Sequence, residues 1–268
     1  MQNLSSNDVT YRTKPQTVGI MGRMLPSLSF YPRFLGEIYM AAAKAKRGKY
    51  DAKTWQASSI AVLGFLESVG ITIDVEGLGH LKAAEGPVII IGNHLSVMET
   101  VVLPAWILPY KPVTYVIKQS LLEVPIFKHV MAATGPIAVS RTNPRQDLKA
   151  VLEEGMERLS CNFSIVIFPQ TTRAPFNPEQ FSTIGIKLAK RAGVQVVPLA
   201  LLTDAWENGK RFKDFGRIVP ERKVHFSFGA PFSVEGKGSE EHQRVIDFIQ
   251  SKMDFWHETR RSDTVGVS

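Results

Sequence analysis

The 268-residue chain is 44% hydrophobic and 21% charged, with a mean hydropathy of −0.03, which suits one substantial folded core and excludes a disordered polymer. Its single cysteine, Cys161, rules out an intrachain disulfide and any metal site built from cysteines alone. The net charge of +7 is concentrated: residues 1–53 hold nine Lys or Arg against three Asp or Glu, a balance that suits an anionic partner, either membrane lipid or nucleic acid.

The first eight residues are polar and lack the basic-then-apolar order of a signal peptide, and residues 1–17 read as a loosely held tail. From Pro26 to Lys49 the apolar positions Tyr31, Leu35, Ile38 and Ala42 recur at helical spacing. Phe30, Phe34 and Tyr39 widen that face, and Lys44, Lys46, Arg47 and Lys49 follow it. Two readings stand here: an amphipathic helix lying in a membrane interface, or a helix packed on the protein's own core with its cations near the C-terminal dipole. A second helix is expected from Lys53 to Val69 and a strand from Ile71 to Val75.

Beyond residue 75 strands and helices alternate. The strand candidates are Val88–Ile91, Val113–Ile117, Ile137–Val139, Ile165–Phe168, Val196–Leu201 and Val224–Phe228. Helical stretches are expected at 99–108, 144–159 and 181–191, and a last amphipathic helix from Ser239 to Trp256. This predicts an α/β fold, a mostly parallel central sheet flanked by helices, preceded by an N-terminal amphipathic segment. Pro198 interrupts its strand and removes one ladder donor, which suits an edge or a bulge. Cys161 precedes an apolar run and reads as a core-edge thiol. No stretch free of Asp, Glu, Lys and Arg exceeds 14 residues, whereas a spanning helix needs about 20 apolar ones, so the chain is expected to lie on a membrane and not to cross it.

His94 and Glu99 are the most informative pair. The run Val88–Ile91 ends just before them, and open α/β sheets bind ligands at the carboxyl ends of their strands. Positions five apart on a regular helix point about 140° away from each other, so the two side chains meet only if His94 lies on the turn before a helix and Glu99 in its first turn. A carboxylate there would fix the imidazole tautomer and make it a general base. Ser96 and Glu99 also match a capping box, and the two readings are compatible. Arg141 and Arg173 each follow an apolar strand, and if those strands are neighbours their guanidinium groups suit a phosphate or carboxylate near the base; either one alone reads sooner as a surface ion pair.

Four ordered segments resemble the glycerolipid acyltransferase family, typified by bacterial 1-acylglycerol-3-phosphate acyltransferase. They are Asn93-His94-x4-Glu99, the block from Gly135 to Arg141, Phe168-Pro169-Gln170-Thr171-Thr172-Arg173, and Val197-Pro198-Leu199-Ala200. The likeness covers about residues 70–230. It implies a basic membrane-associating segment over 1–53 and an acyltransferase domain over 54–268. It also implies transfer of a fatty acyl chain from acyl-carrier protein or coenzyme A to a lyso-lipid hydroxyl, foremost 1-acylglycerol-3-phosphate, at the cytoplasmic face of the cell membrane. No cofactor or metal is implied, and no acyl-enzyme. His94 would be the base and Glu99 its partner. Arg141 and Arg173 would hold the acceptor's anionic group, and Gln170, Thr171 and Thr172 would complete the acceptor site.

The chain departs from the family pattern at three of these positions: Glu99 stands for aspartate, Gln170 for glutamate and Thr171 for glycine. These changes fall on the acceptor side and leave open another lysophospholipid or a lyso-amino-acid lipid as acceptor. A phospholipid-dependent transacylase and a non-catalytic lipid-binding scaffold are the alternatives; a nucleic-acid module would leave the four blocks unexplained.

Overall fold

In the computed structural model, which describes residues 9–125, 127–170 and 172–265, eight strands form one sheet. They are β1 (Tyr11–Arg12), β2 (Ile73–Glu76), β3 (Ile89–Gly92), β4 (Val113–Lys118), β5 (Ile137–Val139), β6 (Ser164–Ile167), β7 (Val196–Leu202) and β8 (Val224–Phe228), in the spatial order β1-β2-β8-β7-β3-β6-β4-β5. All neighbouring pairs are parallel except β1–β2 and β7–β8. The mostly parallel α/β sheet predicted from the apolar runs is therefore present, with most strands within a residue or two of their expected bounds.

Nine helices accompany the described strands: α1 (Ile20–Met24), α2 (Pro26–Lys46), α3 (Ala52–Ser68), α4 (Leu78–Ala83), α5 (Met98–Ile107), α6 (Lys128–Ala133), α7 (Pro144–Ser160), α8 (Ile184–Ala192) and α9 (Ser239–Val265). Their layers follow from the pleat. Val88, just before β3, and Ile90 on it enter one hydrophobic cluster with α2, α3 and α5, while Ile89 and Ile91 enter a second with α7, α8 and α9. A sheet covered on both faces needs near-continuous apolar strands, and all four residues of β3 and all seven of β7 are buried.

Local signals set the helix bounds. The Asp51 carboxylate accepts the Thr54 N–H at 2.8 Å and starts α3, and Asn143 caps α7 through the Gln146 N–H at 3.2 Å. Helix α2 buries Phe30, Phe34, Ile38 and Ala41 in the same cluster as the strands, so the core-packing reading of this segment accounts for one face. The opposite face exposes Leu28, Leu35, Tyr39 and Met40. Phe30 and Phe34 stand edge-on to the fully buried Trp206, at 4.8 and 5.0 Å between centroids, geometry worth about 0.5–1.5 kcal/mol per pair beyond area burial. No helix among the described residues is long and apolar enough to cross a membrane.

Two expectations change and one is narrowed. Residues 9–17 are not a loose tail: Tyr11 and Arg12 pair with β2, and the Tyr11 and Thr13 hydroxyls both donate to the Glu67 carboxylate at 2.6 Å. Pro198 lies mid-sheet, so of the two expected settings the edge is excluded and the bulge is what is found: the partner segment carries one extra residue opposite it. Between Phe228, the last residue of β8, and Phe232, which bridges to Val196, only the Gly229 N–H reaches the Pro198 carbonyl, at 2.8 Å. A Cβ on Gly229 would lie 2.5 Å from the proline ring, so glycine is required there. Cys161 ends α7 in an exposed position, away from the core edge.

Candidate active site

The carboxyl end of β3 lies between β6 and β7, where successive connections leave in opposite directions along the sheet. In open α/β sheets such a switch point forms a crevice. Asn93 fixes this end. It is fully buried, and its amide donates to the Leu201 carbonyl at 2.8 Å and accepts the Leu201 N–H at 2.9 Å, extending the β3–β7 ladder by a side chain.

His94 follows on the turn before α5, and Glu99 sits in the first turn of that helix, as their spacing requires. The His94 Nδ1–H donates to Glu99 Oε1 at 2.8 Å, which leaves Nε2 as the acceptor nitrogen. The same oxygen accepts the N–H groups of Leu95 and Ser96, at 2.7 and 2.8 Å. Glu99 Oε2 accepts the hydroxyls of Ser96 at 2.9 Å and Thr203 at 2.7 Å. The Ser96 Oγ also accepts the Met98 N–H at 3.1 Å. One carboxylate thus closes a capping-box-like turn and holds the imidazole at once. Burial pushes the fully buried Glu99 upward, but the bond and charge of His94, the Thr203 hydroxyl and the Ser96 amide outweigh it and hold the carboxyl below its ordinary range.

The imidazole plane is set by a second surface. It stacks on Phe168 at 4.6 Å and 6° between planes. The turn after β6 grips its backbone from both sides: the Gln170 Oε1 accepts the His94 N–H at 2.9 Å, and the Ala174 N–H donates to the His94 carbonyl at 3.1 Å. The Gln170 amide nitrogen donates in turn to the carbonyls of Ala174 and Pro175, at 3.2 and 3.5 Å. Gln170 is 5% exposed, so its polar atoms face the protein and brace His94. Thr171 lies outside the described residues.

His94 lines a cavity of about 730 Å³, within the range of sites that take ligands of drug size or larger. One part is apolar, walled by Phe34, Ile38 and Ala41 of α2, Trp55 and Val62 of α3, and Val130 of α6. The other is polar and contains Arg141, Arg173, Thr172, Lys213 and Asp214. Arg141 adopts a left-handed conformation (φ 62°), and its N–H and that of Ser140 both donate to the Asp147 carboxylate at 2.8 Å. Its side chain is solvent-accessible but enclosed by the cavity walls; that enclosure, followed by the nearby charge of Arg173, lowers its pKa. Arg173 pairs with Asp214 at 2.7 Å, and Lys213 donates to the Thr172 hydroxyl at 2.9 Å.

The structure therefore brings His94, Arg141, Thr172 and Arg173 to one cavity, buries Glu99 behind His94, and turns Gln170 inward. Sequence reasoning missed Thr203, Lys213 and Asp214. No local signal marks them; only the β3–β7 pairing and the loop after β7 bring them near His94.

The chain is similar to known proteins over much of its length. A family model described as acyltransferase matches residues 72–202. A 1-acyl-sn-glycerol-3-phosphate acyltransferase of Pseudomonas aeruginosa is 36% identical over 188 residues, covering 70% of this chain and 68% of that one. A chloroplastic enzyme of the same name from Arabidopsis thaliana is 28% identical, over 57% of this chain and 40% of its own length. The crystal structure of the 1-acyl-sn-glycerophosphate acyltransferase of Thermotoga maritima superimposes with a TM-score of 0.63 over 87% of this chain and 95% of the other, at 19% identity, a likeness of fold.

Proposed function

The chain belongs to the acyltransferase family, and from that premise we propose that it moves a fatty acyl group from a thioester to the hydroxyl of 1-acylglycerol-3-phosphate, giving phosphatidic acid. The observation that carries the reading is His94, backed by the buried Glu99 carboxylate, on the wall of one cavity that is cationic at one end and apolar at the other.

On this reading His94 Nε2 removes the acceptor's hydroxyl proton as its oxygen attacks the thioester carbonyl carbon. The tetrahedral adduct collapses, the carbon–sulfur bond breaks, and the imidazolium returns its proton to the departing thiolate. Glu99 stabilises the positive charge that forms on His94 between these events. Arg141, Arg173 and Lys213 bind the acceptor phosphate, and the apolar wall under α2 and α3 takes acyl chain. The transfer uses the thioester of coenzyme A or acyl-carrier protein as co-substrate and calls on no other cofactor.

A second acceptor has one observation in its favour. Arg173 and Asp214 present both signs side by side at the mouth, which suits the zwitterionic head of a lyso-amino-acid lipid. We further propose attachment to the cytoplasmic face of the cell membrane, supported by the outward apolar residues of α1 and α2 and by the basic N-terminal fifth of the chain.

The test is direct. The purified protein is incubated with coenzyme A and carrier-protein thioesters against a panel of lyso-lipids, and products are identified by mass spectrometry. Phosphatidic acid from the wild type and none from His94→Ala is expected. Product from His94→Ala at the wild-type rate refutes the mechanism, and no product from any acceptor with wild-type protein leaves a lipid-binding scaffold.

A further inference from the structure

The segment between β7 and β8 is 21 residues long and has no regular secondary structure beyond a single bridge between Trp206 and Ile218. Loops of that length in a compact fold are usually functional. This one is a closed hairpin: the Glu207 N–H donates to the Arg217 carbonyl at 2.9 Å, and the Gly209 N–H to Lys213 at 3.2 Å. A Cβ on Gly216 would sit 1.8 Å from the Glu207 carbonyl oxygen, so the closure depends on glycine. Its base is anchored on α2, where Tyr31 bonds the Gly216 carbonyl and the Ser27 hydroxyl accepts the Ile218 N–H at 3.0 Å.

Its tip reads Lys210-Arg211-Phe212-Lys213. Phe212 is 72% exposed, and no acidic residue lies between Glu207 and Asp214. Both flanking acids are committed, Glu207 to Arg222 at 3.0 Å and Asp214 to Arg173 at 2.7 Å. The hairpin is thus a basic tip around an outward aromatic ring. That tip adjoins a larger apolar surface. At about 100° per residue, Leu28 and Leu35 lie roughly 60° and 40° further round α2 from Tyr31, whose ring meets Phe215 at 5.6 Å. Tyr39 lies about 80° round α2 from Tyr31 on the same side, and Ile20, Met21 and Met24 of α1, which packs on α2, are exposed as well. The tip also borders the cavity, because Lys213 and Asp214 line its polar mouth.

We propose that the 207–217 hairpin is a second membrane contact. Phe212 enters the interface of an anionic bilayer and Lys210 and Arg211 pair with lipid phosphates, so that the polar mouth of the cavity is held against the lipid surface. Charge complementarity and continuity with the outward face of α2 single out a bilayer as the occupant. The inference rests on the peripheral-membrane reading above and adds how the mouth meets its lipid.

Two variants test it, Phe212→Ser and the pair Lys210→Ser with Arg211→Ser; Lys213 is kept because it belongs to the cavity. Sedimentation with phosphatidylglycerol-rich vesicles is compared with sedimentation on phosphatidylcholine vesicles, alongside acyl transfer to a bilayer-embedded acceptor and to a soluble short-chain one. We expect partitioning onto anionic vesicles to fall roughly tenfold for Phe212→Ser, and roughly fivefold per cation removed in the charge pair, the latter effect vanishing at high salt. Transfer to the bilayer acceptor should fall in parallel and transfer to the soluble acceptor stay within twofold. Unchanged binding to anionic vesicles in both variants overturns the proposal, and so does an equal loss on the soluble acceptor, which would make the hairpin a support of the site. Vesicle binding reads the hairpin even if no acceptor is turned over, so failure of the enzymatic reading is distinguishable from failure of this one.

Discussion

Replacing Thr203 by valine removes one hydroxyl while keeping the side chain's shape and its place at the end of β7. The lost bond is the 2.7 Å donor to Glu99 Oε2, in a site where both groups have no solvent exposure. A hydrogen bond to a charged group contributes about 1.5–3 kcal/mol, and about 1.4 kcal/mol is a factor of ten in rate. The ceiling is therefore a loss of about 10- to 150-fold in kcat. The Ser96 hydroxyl stays on the same oxygen, so roughly tenfold is expected, with KM little changed. Thr203→Ser should restore most of it. Losing a donor to the carboxylate raises the pKa of Glu99, so the part of the acid limb that Glu99 governs should move to higher pH. The decisive measurement is a double-mutant cycle. Glu99→Asp withdraws the carboxylate by about 1.5 Å, out of reach of β7, and Thr203→Val should then cost almost nothing further. Steady-state kinetics of the four proteins decide it: wild-type kcat in Thr203→Val, or the same tenfold loss when Thr203→Val is added to Glu99→Asp, would refute the argument.

Gln170→Glu should destabilise the turn after β6, because a carboxylate oxygen would replace the amide that donates to the Ala174 and Pro175 carbonyls in a site 5% exposed. A loss of about 1–3 kcal/mol corresponds to a fall in Tm of about 3–9 °C in calorimetry at neutral pH. The fall should shrink below the ordinary carboxylate range, where the acid can donate; an unchanged Tm contradicts this. His225 gives a different pH signature. Burial first, and then Lys223, push its pKa down to about 4, so between the ordinary value of 6.5 and that point the unfolded chain binds a proton that the folded one does not. Stability should drop as pH falls through that window, by less than about 1.4 kcal/mol per pH unit because the group is partly solvated. His225→Phe, which keeps a ring against Trp256, should flatten the dependence, and an identical slope in the variant excludes His225 as the cause.

What the sequence makes legible here are features whose signal is local. Continuous apolar runs mark the buried strands, and the five-residue spacing of His94 and Glu99 places one on a turn and the other in a helix. Features held by distant partners do not show. β1 is two residues, whose partner strand and whose Tyr11 hydroxyl's acceptor, Glu67, lie more than 50 positions away. Helices α1, α4 and α6 have five or six residues, too few to establish a period. Thr203 reaches Glu99 across 104 positions, which only the adjacency of β3 and β7 accounts for. The missing donor of Pro198 points to an edge or a bulge, and only the pairing of β7 shows that it is the bulge, in mid-sheet. Gln170 was assigned to the acceptor by its place in a motif, whereas its amide is used up within the protein.

Helix α2 has one more implication. Its inward side chains wall the chamber and fill the core, and its outward ones face away from the protein, all on one rod of 21 residues. Trimming the N-terminus to weaken lipid attachment would remove Phe30, Phe34 and Ile38 and collapse the fold along with the attachment. On the proposed reading, adhesion and substrate size would instead have separate addresses on consecutive residues, Tyr39 outside and Ile38 inside. If the protein holds a membrane as proposed, an engineer, or selection, could retune how firmly it does so without altering which chains the chamber takes, and the reverse, one residue at a time.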